Sequence, residues 1–202
     1  ATRWAKRRSE WVELIQGWAG RPDPQAMLDA SNLLDFRVSF GGLDLDPLEQ
    51  AIATTAKSSL FMAHLARAAL QMRPPLGVFG NIRDPEGLDL KAAALVPIVG
   101  IARVVALEAG AREGSTLRRL AAAGREGILS DETVQLLRDA FQLAFGLRVE
   151  QQLRQRRDPT VPDRLDVATL APAERRHLTD ALRGIRDVQT SIGRRYGLDQ
   201  LG

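Results

Sequence analysis

Leu88-Asp-Leu-Lys-Ala-Ala-Ala-Leu-Val-Pro-Ile-Val-Gly-Ile-Ala-Arg-Val-Val-Ala-Leu-Glu-Ala-Gly110 is the most apolar stretch of the chain. It has no strict apolar/polar alternation and is too long for a buried strand, so it reads as a helix. Leu88 or Asp89 starts it, Gly110 ends it, and Pro97 is predicted to kink it or divide it. The uncharged run from Ala92 to Ala102, between Lys91 and Arg103, is far shorter than the roughly 20 residues needed to cross a bilayer.

Upstream, Trp4, Trp11, Leu14, Ile15 and Trp18 share one face of a helix expected over about 2–19, closed by Gly20 and Arg21-Pro-Asp-Pro24. Asp23 is an N-cap, with Pro24 at the first helical position, for a helix over 24–35. Val38-Ser-Phe-Gly-Gly42 breaks that helix. Asp46-Pro47 repeats the cap-plus-proline start of an alanine-rich helix that runs to about Gln71, interrupted near Ser58-Ser59. Pro74 to Gly80 is a rigid connector, and 81–89 a polar loop.

Downstream, Ser115 opens a short helix, Leu117 to Ala123, closed by Gly124. Ser130-Asp-Glu-Thr133 has capping-box spacing and starts one of the longest helices, ending near Arg156. Its expected core face is Leu136, Leu137, Ala140, Phe141, Ala144, Phe145 and Leu147. A linker, 157–163, leads to a last helix from Leu170-Ala-Pro-Ala-Glu174 to about Tyr196. No strand of convincing length and no fixed-period repeat occurs. The expectation is all-α: a helical bundle with an N-terminal helical arm.

Apolar residues are 45% and charged residues 26%, an ordinary globular balance. The absence of cysteine excludes disulfides, thiolate nucleophiles and sulfur-ligated zinc, and fits a reducing cytoplasm. His64 and His177 are too far apart in sequence to suggest a histidine metal cluster. The formal charge is only +3, and 28 basic residues mix with 25 acids. That pattern is a solvated surface rather than a nucleic-acid stripe. No signal peptide, lipidation motif, P-loop, Gly-x-Gly-x-x-Gly or Gly-x-Ser-x-Gly is present. Asp44-Leu-Asp46 makes a superficial Asp-x-Asp, but Asp46 reads as the cap before Pro47.

Several charged residues stand inside apolar stretches. Asp35 and Arg37 lie in Leu33-Leu-Asp-Phe-Arg-Val38, either as an internal ion pair or with the arginine fork aimed at a phosphate or acidic surface. Lys91, one of three lysines, and Arg103 flank the apolar helix, and Arg148 and Gln152 project one turn apart from the long helix.

The segment 88–99, with Ala102-Arg103 and Ala106-Leu-Glu-Ala-Gly110, resembles the family described as the putative nucleotidyltransferase substrate-binding domain. Ser115-Thr-Leu-Arg-Arg-Leu120, Asp139-Ala-Phe141, Leu147-Arg148 with Gln152, and 170–196 fit the same pattern, although Lys91-Ala-Ala departs from it. Arg73-Pro-Pro-Leu-Gly-Val-Phe-Gly80 and Leu34-Asp-Phe-Arg37 resemble the end of the preceding domain. Asp35 and Arg37 are similar to an Asp-x-Arg in the protein-PII uridylyltransferase lineage.

The resemblance implies that 1–80 is the tail of a nucleotidyltransferase-like domain plus a helical junction, and 81–202 a helical substrate-binding domain. The start at Ala1 then suggests a piece of a longer bacterial signalling protein, often one with CBS and cyclic-nucleotide-binding modules. Neither the Gly-Ser turn nor the paired carboxylates that transfer needs stand in this chain. The upstream domain would supply them, with Mg²⁺ and a nucleoside triphosphate, and this part would need no cofactor of its own. Its implied role is to cover the nucleotide and present an unknown acceptor, with Asp35, Arg37, Lys91, Arg103, Arg148 and Gln152 as cleft residues. The alternative is a non-catalytic regulatory scaffold or homodimer, built on an apolar patch such as Trp4, Trp11 and Trp18.

Overall fold

The computed structural model describes residues 4–112, 114–160 and 163–198. They form eight α-helices: α1 Arg8–Trp18, α2 Pro24–Leu33, α3 Asp46–Thr55, α4 Ser59–Ala69, α5 Val96–Glu108, α6 Thr116–Arg125, α7 Asp131–Arg157 and α8 Pro172–Arg195. Among the described residues no strand forms. Only two isolated antiparallel bridges occur, Leu76 with Ile82 and Leu88 with Leu165. The all-α expectation holds, and no described helix is long and apolar enough to cross a membrane.

The apolar side chains condense into two cores that meet at α5. The larger is filled by Ile98 and Ile101 of α5, Leu120 of α6, Leu137 of α7, and Leu182 and Ile185 of α8. The smaller joins Ile15 and Trp18 of α1, Met27 of α2, Leu48 of α3 and Phe61 and Leu65 of α4 to Val104 of α5. This is why the quoted stretch is apolar all round: a helix with a core on either side has no face to leave in water. Each such fully buried side chain contributes about 1.5–3 kcal/mol.

Pro97 acts at the start of α5. It has no N–H to return to the carbonyl four residues back, and the turn before it widens to a π turn over Lys91–Leu95. Val96 N–H reaches the Lys91 carbonyl, and the Asp89 carboxylate accepts from the N–H groups of Lys91 and Ala92 at 2.9 and 3.1 Å. Gly100 lets α4 come close: a Cβ there would lie 3.0 Å from the Ala69 carbonyl oxygen.

Asp23 caps α2 as expected, accepting from Ala26 N–H at 2.8 Å. Ser58 divides the alanine-rich segment by capping α4, and Ser130 caps α7. Five local expectations are corrected. The first helix starts at Arg8, because the Glu10 carboxylate accepts from the Arg7 N–H at 2.6 Å and fixes the N-terminus there. The part of that expectation at residues 2 and 3 lies outside the described residues. Asp46 is the first residue of α3 rather than its cap; Asp44 accepts from the Asp46 N–H at 2.9 Å instead. Gly124 does not end α6, which continues to Arg125 and turns at Gly127 with φ +67°. Phe145 points to solvent, stacked on Phe141 with ring centroids 6.0 Å apart. Trp18 is buried while Trp4 is exposed, so the three tryptophans form no common patch. The linker expectation at 161 and 162 lies outside the described residues.

Candidate functional site

Where the last turn of α2 meets α5 and α6, a single carboxylate joins the two layers. The chain turns after α2, with Phe36 N–H on the Leu33 carbonyl at 3.0 Å, and Asp35 leaves the helix there. Arg103 reaches it from α5, donating Nε to Oδ2 at 3.2 Å and adding a shorter bond from Nη2. Arg119 reaches it from α6, with Nη1 2.6 Å from Oδ1 and Nη2 donating to the Leu34 carbonyl at 3.2 Å. The Ser115 hydroxyl accepts from Arg118 N–H at 3.4 Å and fixes the start of α6, from which Arg119 projects.

Arg119 is 7% exposed, and Asp35 supplies a counter-charge at that depth, where removing a partner from a buried guanidinium is costly. Burial pushes the Asp35 carboxyl up, but hydrogen bonds from Arg103 and Arg119 and their charges outweigh it. The group is held below its ordinary value. A second pair, Arg112 with Glu49 of α3, closes the seam further out.

These elements enclose a cavity of about 390 Å³. Asp35, Arg37, Arg103, Arg112, Arg119 and Glu49 supply its polar lining, and Phe36, Ile52, Ala53 and Leu107 an apolar wall. Gly114 and Ser115, at the start of α6, complete it. Of the six residues singled out by sequence, Asp35, Arg37 and Arg103 are brought together here. Lys91 is exposed on the π turn, Arg148 half-buried and Gln152 exposed on α7; none of the three lines this cavity.

Arg119, Arg112 and Glu49 were missed. Arg119 had a signal: it precedes Ala122 and Ala123 by three and four residues, so it falls on the buried face of α6. Gln151 had one too, because Leu137, Ala140, Ala144, Leu147 and Gln151 follow helical spacing along one side of α7. Gln151 is buried and donates to the Arg164 carbonyl at 3.2 Å.

A second polar cluster ties the far ends of α5 and α8. Glu108 accepts from Arg195 Nε at 3.2 Å and from the Tyr196 hydroxyl. Burial, then the adjoining carboxylate, pushes the Tyr196 phenol above its ordinary range. Burial also raises Glu108, yet its bonds from Arg195 and Tyr196 prevail and hold it low. This cluster is a structural tie and lines no part of the cavity.

The described residues thus form a helical bundle with a charged cavity at the seam of two cores. Residues 59–196, about two thirds of the chain, match the family model for the putative nucleotidyltransferase substrate binding domain, and the chain belongs to that family. The match runs from α4 to the end of α8, so it takes in Arg103, Arg112 and Arg119, whereas Asp35, Arg37 and Glu49 precede it. No curated protein and no solved structure matches the chain.

Proposed function

We propose that this chain is the substrate-holding part of a nucleotidyltransferase-like signalling protein of the protein-PII uridylyltransferase kind, with the seam cavity as its substrate site. One observation carries the reading: the cavity is built around a carboxylate, Asp35, that Arg103 and Arg119 share from two different helices.

Holding and orienting a substrate is sufficient work for such a part, since positioning converts a two-body encounter into a local one. The metal chemistry belongs elsewhere in this reading. Among the described residues no group of three His, Asp or Glu could hold a metal ion, and Asp35 and Glu49 are already bound by arginines. Mg²⁺ and the triphosphate are therefore assigned to an upstream transferase-like domain, with CBS or cyclic-nucleotide-binding modules as the source of regulation.

The test is calorimetric titration of ATP and UTP with Mg²⁺ into this chain and into a longer protein that includes the upstream domain. Binding only by the longer protein, weakened by Arg37→Ala, is the expected result. Binding that ignores Arg37→Ala would remove the cavity from the site. No binding by either protein favours the second reading, a regulatory scaffold or homodimer. That reading has its own observation: Phe145, Val149 and Leu153 form an exposed apolar row on α7.

A further inference from the structure

The charge and the wall of the seam cavity together specify a class of occupant; this step rests on the reading of the cavity as a substrate site. Among the described lining residues, Arg37, Arg103, Arg112 and Arg119 carry four positive charges, and Asp35 and Glu49 carry two negative ones. These four arginines differ in freedom. Arg103 and Arg119 are committed to Asp35, and Arg119 is too deep to move. Arg112 is paired with Glu49, but its side chain is 68% exposed, so its guanidinium can swing. Arg37 has no hydrogen-bond or ion-pair partner among the described residues.

An unpaired arginine on open surface would mean nothing, because water satisfies it. Arg37 instead shares a cavity with Leu34, Phe36, Ile52, Ala53, Ala106 and Leu107. Water alone would solvate the guanidiniums while leaving that apolar wall wet, at a cost proportional to its area. A carboxylate brings one charge and two oxygens to the two accessible forks, Arg37 and Arg112. A phosphate monoester supplies two charges, and its oxygens match the planar fork of arginine. A cavity of about 390 Å³ also falls within the usual size of small-molecule sites, roughly 300–1,000 Å³.

We propose that the cavity binds a small phosphate monoester with an aromatic or apolar body. The phosphate lies between Arg37 and Arg112, and the body rests on the wall around Phe36, Ile52 and Leu107. Asp35 keeps Arg103 and Arg119 in place and is not displaced. The phosphate can belong to a nucleotide or to a phosphorylated acceptor, since the recognising chemistry is the same.

The probe is phenyl phosphate, titrated calorimetrically into the 202-residue chain at pH 8 and fixed ionic strength, where the monoester is doubly charged. Inorganic phosphate (head without body) and benzoate (body with one charge) are titrated beside it. Phenyl phosphate is expected to bind at least about tenfold more tightly than either, and Arg37→Ala or Arg112→Ala to weaken it by about tenfold. Both arginines are exposed, so thermal melts of the two variants should match the parent. Competition by UMP identifies a nucleotide as the source of the phosphate; bound phenyl phosphate that UMP cannot displace points to a phosphorylated acceptor.

Equal binding of phenyl phosphate and inorganic phosphate, or indifference to both variants, overturns the assignment. Ala53→Trp, which fills the cavity, separates this failure from failure of the site itself. If the longer protein loses Mg-nucleotide binding on Ala53→Trp while phenyl phosphate never binds, the site stands and the phosphate class falls. If nucleotide binding survives the plugged cavity, the site falls.

Discussion

Asp35 accepts from arginines on two different helices, and that convergence was only half visible in the sequence. Its place among Leu33, Leu34, Phe36 and Val38 marked it as partly enclosed, and Arg103 was singled out for its apolar setting. Nothing local could say that the two would meet, because they lie 68 residues apart and the contact depends on how the layers stack. Arg119 was legible in principle from its spacing to Ala122 and Ala123, but arginine on a helix is so often solvated that the charge masked the periodicity. Asp35→Asn keeps the shape and removes the charge that balances the buried Arg119. Because the carboxylate is itself more than a third exposed, the expected loss is about 1–3 kcal/mol rather than that of a fully buried pair. The pH dependence has a definite sign. Asp35 titrates below its ordinary value when folded, so its contribution is complete above about pH 3.9 and fades as pH falls through the lower folded value. Glu108 acts in the same sense. Urea unfolding at pH 7 and near pH 3 should therefore show Asp35→Asn less stable at the first and closer to the parent at the second. An equal gap at both values would mean that the side chain acts through shape alone.

At the level of the helix, caps and breakers were readable wherever a side chain meets its own backbone, and less so where packing decides. Asp23 and Ser130 cap as expected, and Ser58 and Ser115, read only as a break and a helix start, prove to be caps too, since each bond closes within a few residues. Gly124 looked like a terminator but is a packing residue: a Cβ there would stand 3.0 Å from a methyl of Val134. The same distinction separates two other glycines. A Cβ at Gly100 on α5 would lie 3.0 Å from the Ala69 carbonyl oxygen and 3.1 Å from the Ala69 Cβ, neither of which can rotate away. A Cβ at Gly184 on α8 would lie 2.9 Å from the tip of Leu136, a side chain with other rotamers and partial exposure. Alanine in a helix gains about 1 kcal/mol over glycine, while overpacking typically costs about 1–3 kcal/mol. Gly100→Ala should consequently be net destabilising, by about 1 kcal/mol or more, and Gly184→Ala should lie near neutral. Chemical denaturation of the two variants decides it, and a stabilised Gly100→Ala would show that α4 can yield at the crossing.

Across the whole molecule, the number and order of helices could be read from periodicity and punctuation, but the division into two cores could not. Apolar residues declare that they are buried, not which other residues they are buried with, and α5 hides the seam because it serves both sides. Ile98, Ile101 and Val105 belong to one core and Val104 to the other. That sharing has a thermodynamic consequence. Releasing α1–α4 alone would bare Val104 and leave Arg119 without Asp35. These penalties fall on the larger core, so the two should unfold together. The tryptophans make this measurable, since Trp4, Trp11 and Trp18 all lie in or just before α1 and report only on the smaller core. Circular dichroism at 222 nm reports on all eight helices. In urea at pH 7 the two signals should trace one transition with the same midpoint. In Asp35→Asn, where the main tie between the layers is weakened, the fluorescence midpoint should fall to lower urea ahead of the circular dichroism. Coincident midpoints in the variant would mean that shared packing along α5 is enough to couple the cores, and that the charge at the seam serves the ligand more than the fold. Separate midpoints in the parent would instead show that α1–α4 come away from α5 as a unit of their own.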